Sequence, residues 1–228
     1  MTDTPLAAEA PKDRRFRDGS RFLVDTLRSR PVARRMLSGF SIITAVVAIG
    51  MLAYPLYTNY MQNRLQSKLA IQLRSPQNKA AYQAGHTTEG DALTRLSIPT
   101  IGVDTVVVEG TGASALRAGA GHYPNTPLPG EEGNVAIAGH RTTYGKPFAN
   151  LDRLKVGEDI VLETPIGRHV YRVTRDPFVV SNTDFTVIAQ TPGKTLTLTT
   201  CHPKGSARQR LVVKAELVSE TANQPAPA

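Results

Sequence analysis

Between Met36 and Tyr57 the chain runs through 22 residues, MLSGFSIITAVVAIGMLAYPLY, without a single charged side chain. As a helix rising 1.5 Å per residue the run reaches roughly 33 Å, enough to cross a hydrocarbon core of about 30 Å. Only Ser38, Ser41 and Thr44 interrupt it, so it lacks the polar stripe that a helix of a soluble domain turns to water. It exceeds the usual core of a cleaved signal peptide, follows a long leader and precedes no clear A-x-A site. The segment therefore reads as one transmembrane signal anchor, and it divides the chain. The expected parts are a basic leader (1–35), the anchor (36–57), a polar connector (58–91), a folded domain (92–219) and a disordered tail (220–228).

The flanks orient the anchor. Arg28, Arg30, Arg34 and Arg35 crowd its N-terminal side, whereas Asn59, Gln62 and Asn63 follow Tyr57 with a lone Arg64. Positive charge stays inside, which keeps the leader cytoplasmic and places the remainder outside the cell membrane. Tyr54, Tyr57 and Tyr60 would mark the outer interface. The net charge of +8 is moderate, and half of it sits in the leader, where nine Lys/Arg oppose five Asp/Glu. With no Trp and no basic stripe interleaved with aromatics, a nucleic-acid partner is not expected. One cysteine excludes an intrachain disulfide and a Cys-rich zinc site. The histidines at 86, 122, 140, 169 and 202 show no H-x3-H or HExxH spacing, so neither metal nor cofactor is expected.

Past the anchor, Met61, Leu65, Leu69 and Leu73 recur every four residues and predict a short amphipathic helix, packed on the domain or resting at the membrane surface. Residues 77–90 read as loop. From residue 92 the pattern changes to short strands separated by turn residues: 92–98, 104–110, 133–140, 158–164, 168–174, 177–181, 194–201 and 210–218, with Pro165-Ile166-Gly167 as a hairpin turn. Eight short strands in roughly 130 residues, without strong intervening helices, predict a mainly β chain folded as a closed or nearly closed barrel.

Strand parity sorts the reactive candidates. In KTLTLTTC, Leu196 and Leu198 share one face, and Thr195, Thr197, Thr199 and the sole cysteine, Cys201, share the other. In RLVVKAELV, Leu211, Val213, Ala215 and Leu217 are apolar on one side, with Arg210 opposite; in NVAIAGH, His140 falls in register with Ala136 and Ala138, away from Val135 and Ile137. Each polar candidate points away from the large aliphatic residues and could line a groove outside the core. A buried structural thiol, a locally bonded strand-end histidine and a surface arginine are the plainer alternatives.

These residues resemble the sortase family of bacterial surface transpeptidases. Thr197-Leu198-Thr199-Thr200-Cys201 fits the family's TLxTC strand end, Arg210 its following arginine, and His140 in NVAIAGHRTTYGKPF its upstream histidine. The match runs from about Leu93 to Val218, and GHYPNTPLPGEEGNVAIAGHRTTYG with TLTTCHPKGSARQR is most similar to class E sortases. Asn125 stands where a glycine or small residue is expected. The resemblance implies an eight-stranded sortase-type barrel behind one transmembrane helix. It also implies that Cys201 attacks the Thr–Gly carbonyl of a C-terminal sorting signal, of LAxTG type in place of LPxTG, on a secreted protein. Arg210 would then stabilise the oxyanion, with Arg208 second in line, and His140 would move the protons. The acceptor would be an amine of a lipid II-like cell-wall precursor. Thr200, Thr142, Thr143 and Tyr144 are expected to contact the peptide. His202 reads as a loop-shaping residue, His122 as structural, and His86 and His169 as exposed or locally satisfied. No carboxylate is clearly placed to orient His140. Two other functions remain compatible with the sequence: a hydrolytic cysteine peptidase on the same residues, and a non-catalytic wall-binding barrel with Cys201 buried.

Overall fold

The computed structural model describes residues 31–222, so the leader up to residue 30 and the tail from residue 223 lie outside the described residues. The chain divides into two compact units, one ending at Pro55 and the other beginning at Leu56. Helix α1, Pro31–Leu73, runs through that division. In the first unit it carries the apolar run, where Ile42, Ile43, Val46, Val47 and Leu52 are each more than half exposed. It is a helix long and apolar enough to cross a membrane.

In the second unit α1 continues without a break to Leu73, in place of the separate short helix expected from the leucine spacing. The stripe facing the domain is also displaced. Leu69, Ala70 and Leu73 pack on Ala92 and Val106, but Met61 and Leu65 are 42% and 38% exposed, while Gln62 is buried. A helix α2, Pro76–Gln83, occupies the first half of the expected loop; the Ser75 hydroxyl accepts the Asn78 amide at 3.2 Å and Pro76 opens the first turn. Asn78 Nδ2 donates to the Ala92 carbonyl at 2.9 Å, fixing α2 to the first strand.

The strands are β1 (Ala92–Ile98), β2 (Val103–Glu109), β3 (Ala120–His122), β4 (Gly133–Gly139), β5 (Asp159–Glu163), β6 (Gly167–Val173), β7 (Phe178–Ser181), β8 (Lys194–His202) and β9 (Gln209–Ala222). The order β6-β5-β1-β2-β3-β4-β8-β9, closed by pairing of β6 with β9, makes an eight-stranded barrel. Every strand expected from the sequence is present, yet the ring's membership differs. The three-residue β3, preceded by helix α3 (Ala113–Ala118), completes the ring, and β7 lies off it. Two strands share one edge of β9: β7 pairs with its first part through Val180↔Arg210, and β6 with its later part through Val173↔Ala215. β9 continues through Ala222, which corrects the expectation of disorder from residue 220.

The core follows the predicted parity. Val135, Ile137, Leu196, Leu198, Leu211, Val213 and Ala215 interdigitate with Leu96, Ile160, Leu162 and Tyr171. Each large aliphatic side chain buried this way contributes about 1.5–3 kcal/mol of transfer free energy. The Tyr171 hydroxyl accepts the Gly130 amide at 2.9 Å, and burial pushes its pKa up to about 12. His169 departs from expectation. It is buried, its ring nitrogens have no hydrogen-bond partner among the described residues, and burial lowers its pKa.

Candidate active site

Strands β4 and β8 run parallel, with Ala136↔Thr197 and Ala138↔Thr199 in register. Two residues further on come Cys201 and, just past the end of β4, His140, so the parallel pairing carries both residues toward the same end of the barrel. The antiparallel β8–β9 ladder sets Arg210 directly opposite Cys201. The Arg210 guanidinium donates from Nη1 to the cysteine sulfur at 3.6 Å and to the Ala207 and Gln209 carbonyls at 3.2 and 3.3 Å. Those two carbonyls orient the fork, and its Nε and Nη2 have no hydrogen-bond partner among the described residues. Arg208, the second candidate, is exposed. Cys201 itself is half-buried, so its sulfur is not sealed in aliphatic packing.

The threonine face of β8 is not an open groove along its length. Thr197 is fully buried and Thr199 nearly so. Thr197 Oγ1 donates to Asn134 Oδ1 at 2.7 Å, and Asn134 Nδ2 in turn donates to the Val187 and Ala189 carbonyls. Thr199 shares a hydrogen bond with the Tyr123 hydroxyl at 3.1 Å. Segment 186–189 and the Tyr123 loop therefore cover the outer face and leave open the strand end that carries Cys201. Thr200, expected to touch the peptide, is 2% exposed. It lies on the core side with Leu198, and its hydroxyl donates to the Gly139 carbonyl at 2.8 Å. It ties β8 to β4 beside His140 and has no surface to offer a peptide. Thr142 and Thr143 are exposed and Tyr144 is half-buried, in the loop just past His140.

The His140 ring packs against Tyr144, with centroids 5.2 Å apart and planes tilted by 41°. Burial lowers its pKa from the usual 6.5. The His140 carbonyl accepts the Phe148 amide at 3.1 Å, and the Phe148 ring occupies the space that a side chain at Gly139 would need. Among the described residues no carboxylate bonds the imidazole. The nearby acid, Asp152, instead pairs with Arg141 at 3.2 Å.

Arg141 is the site residue that sequence reasoning missed. Its side chain is only 4% exposed, and Nη1 donates to His202 Nδ1 at 2.9 Å and to the Cys201 carbonyl at 3.4 Å. It thus pins the residues on both sides of the Cys201–His202 peptide bond to the strand end bearing His140. The available signal was a charge directly after His140 in a turn otherwise made of Thr, Tyr and Gly. His202, bonded to Arg141, keeps a shaping role. His122 is enclosed by Glu109 at 2.9 Å on Nδ1 and by Thr126 and Pro127 on Nε2, which makes it a brace between β2, β3 and the following loop. Asn125 has φ of +69°, the left-handed conformation that explains why glycine is expected there; asparagine tolerates it better than most residues.

A half-buried thiol, a guanidinium across the strand pair and an imidazole just past the end of the neighbouring strand make a candidate cysteine-nucleophile site on a β-barrel. The chain belongs to the sortase family: the sortase domain model matches residues 96–218, and the family is one of cysteine transpeptidases. Among relatives, it is 29% identical over 205 residues to sortase SrtE1 of Streptomyces coelicolor, covering 83% of this chain and 58% of that protein. The chain thus spans somewhat over half of that relative's length. The barrel is also similar to sortase E from Streptomyces avermitilis, at 37% identity and TM-score 0.55 over 59% of this chain and 93% of that one. A Clostridium perfringens sortase D5 transpeptidase aligns with TM-score 0.60 and 32% identity, covering 69% of this chain and 98% of that one. The similarity to class E members agrees with the motif pattern.

Proposed function

We propose that the protein is a membrane-anchored cysteine transpeptidase that cleaves a C-terminal sorting signal between Thr and Gly and transfers the new carboxyl terminus to an amine. The observation that carries this reading is the Arg210 guanidinium 3.6 Å from the Cys201 sulfur, the two residues being direct register partners at the open barrel end.

In the first step the neutral His140 imidazole takes the thiol proton, and the thiolate attacks the Thr carbonyl. The sulfur–carbon bond forms, and the carbonyl oxygen becomes an oxyanion, which the free N–H groups of Arg210 face. Collapse breaks the carbon–nitrogen bond; His140 passes its proton to the departing glycine amine, and a thioester remains on Cys201. In the second step an acceptor amine attacks the thioester, His140 removes its proton, and the thiol is regenerated as the amide forms. Arg141 holds the Cys201 carbonyl and His202 through both steps. Thr142, Thr143 and Tyr144 contact the peptide, which is of LAxTG type on the class E likeness. The acceptor is an amine of a lipid II-like cell-wall precursor, so the partners are secreted proteins bearing the signal and the wall precursor. The apolar part of α1 anchors the protein in the cell membrane, with the arginine-rich end cytoplasmic and the barrel outside. No step requires a metal or cofactor.

The test is an assay of the full-length protein with sorting-signal peptides, with and without an amine nucleophile. The reading predicts an amide-linked product only when amine is present. Cleavage that yields free acid under every amine tried would replace it with a hydrolase.

A further inference from the structure

Helix α1 reaches the loop after His140 through two glutamines one turn apart. Gln62 is buried, and its amide fills the space that a side chain at Gly145 would occupy. Gln66 behaves like a strand partner for β2: its Oε1 accepts the Val106 amide at 2.7 Å, and its Nε2 donates to the Val106 carbonyl at 3.3 Å and to the Ala118 carbonyl at 2.5 Å. It also fills the space a side chain at Gly119 would need. Both contacts lead to one ring. Gly145 follows Tyr144 directly, and Ala118 ends α3, whose Arg117 lies 5.9 Å from the Tyr144 ring. Tyr144 is the residue packed on His140.

The loop needs such support. Tyr144, Gly145 and Lys146 are consecutive left-handed residues with φ of +47°, +69° and +53°. Non-glycine residues hold that conformation only where the surroundings enforce it. Its own amide bonds run mostly within the turn, Lys146 to Thr143 and Ala149 to Lys146. Between helix and loop lies a cavity of about 260 Å³ lined by Gln62, Gln66, Thr105, Gly145, Lys146 and Asn150 among others. Without the glutamines the loop has space to relax into.

We propose that Gln62 and Gln66 are positioning residues for the active-site loop, holding Tyr144 against His140 so that the same helix that carries the apolar segment also sets the imidazole. The inference rests on the transpeptidase reading above. Since Gln62 acts by filling space, Gln62→Met should preserve its role and Gln62→Ala should not.

The test uses the full-length protein in detergent, measuring kcat, KM and thermal midpoint together with the His140 imidazole NMR resonance, which the neighbouring Tyr144 ring shifts. Gln62→Ala is expected to lower kcat about tenfold, a partial loss of orientation for proton transfer. It should also move the His140 resonance while leaving the thermal midpoint within a few degrees, and Gln62→Met should restore both signals. Wild-type kcat with an unmoved resonance in Gln62→Ala would overturn the proposal, as would a loss of kcat explained entirely by unfolding. If Gln62→Ala does not fold, Gln66→Ala is read by the same measurements with the same two outcomes. The resonance reports the clasp even if the wild type forms no amide product, so a failed transpeptidase reading stays distinguishable from a failed clasp.

Discussion

Arg210 and His140 are held in place by different physical means, and each makes its own prediction. Arg210 contributes a planar fork already oriented by two carbonyls of its own loop. A lysine ammonium at this position would keep the charge but lose the bidentate geometry. Arg210→Lys is therefore expected to fold normally and lose about 10²–10³ in kcat, the range for removing an oxyanion donor. Near wild-type turnover, measured with a sorting peptide and an amine, would remove Arg210 from that role. His140 packs on Tyr144, with no carboxylate bonded to it among the described residues, and burial lowers its pKa below 6.5. Its neutral form must accept the thiol proton, so activity is lost as pH falls through that lowered value. A profile of kcat/KM against pH should show the acid limb below pH 6.5. A limb at or above 6.5 would contradict the assignment. The stability effect has the same sign. The unfolded chain binds this proton at higher pH than the folded one, so the contribution of His140 is complete above 6.5 and lost as pH falls through the folded-state value.

At the scale of elements, what was legible followed from a strict period. Alternation of Leu196 and Leu198 with Thr197 and Thr199 gave β8 and its core face, and the TLxTC end gave Cys201. What was not legible had either too few residues or too little apolar contrast. β3 consists of Ala120, Gly121 and His122, three positions with no bulky β-former, and it exists because β2 and β4 pair on both sides of it. Helix α2 carries only Asn78 and Tyr82 as buried residues, so no hydrophobic stripe announced it; its Ser-Pro start was the remaining signal. On α1 the leucine spacing favoured Met61 and Leu65, yet Gln62 and Gln66 take the inner face because that surface presents backbone amides and glycines. Thr200 was expected to contact the peptide, but it shares parity with Leu198 and is buried, its hydroxyl bonded to the Gly139 carbonyl. Arg141 escaped notice because burial of a guanidinium is visible only once Asp152, His202 and the Cys201 carbonyl converge on it.

For the whole molecule, closure of the barrel makes the site possible. β4 and β8 run parallel, β9 returns antiparallel beside β8, and His140, Cys201 and Arg210 fall at the same end of those strands. The apolar part of α1 is long and apolar enough to cross a membrane, and Leu69, Ala70 and Leu73 further along α1 pack on the barrel that bears the site. The chemistry depends on a sulfur that can carry the acyl half of a sorting signal. The most direct measurement is the intact mass of the full-length protein after incubation with LAxTG and LPxTG peptides without added amine. The account predicts an adduct equal to the peptide up to its threonine, mapped to Cys201 and absent from Cys201→Ala. No adduct with any sorting peptide, or an adduct that persists in Cys201→Ala, would contradict it.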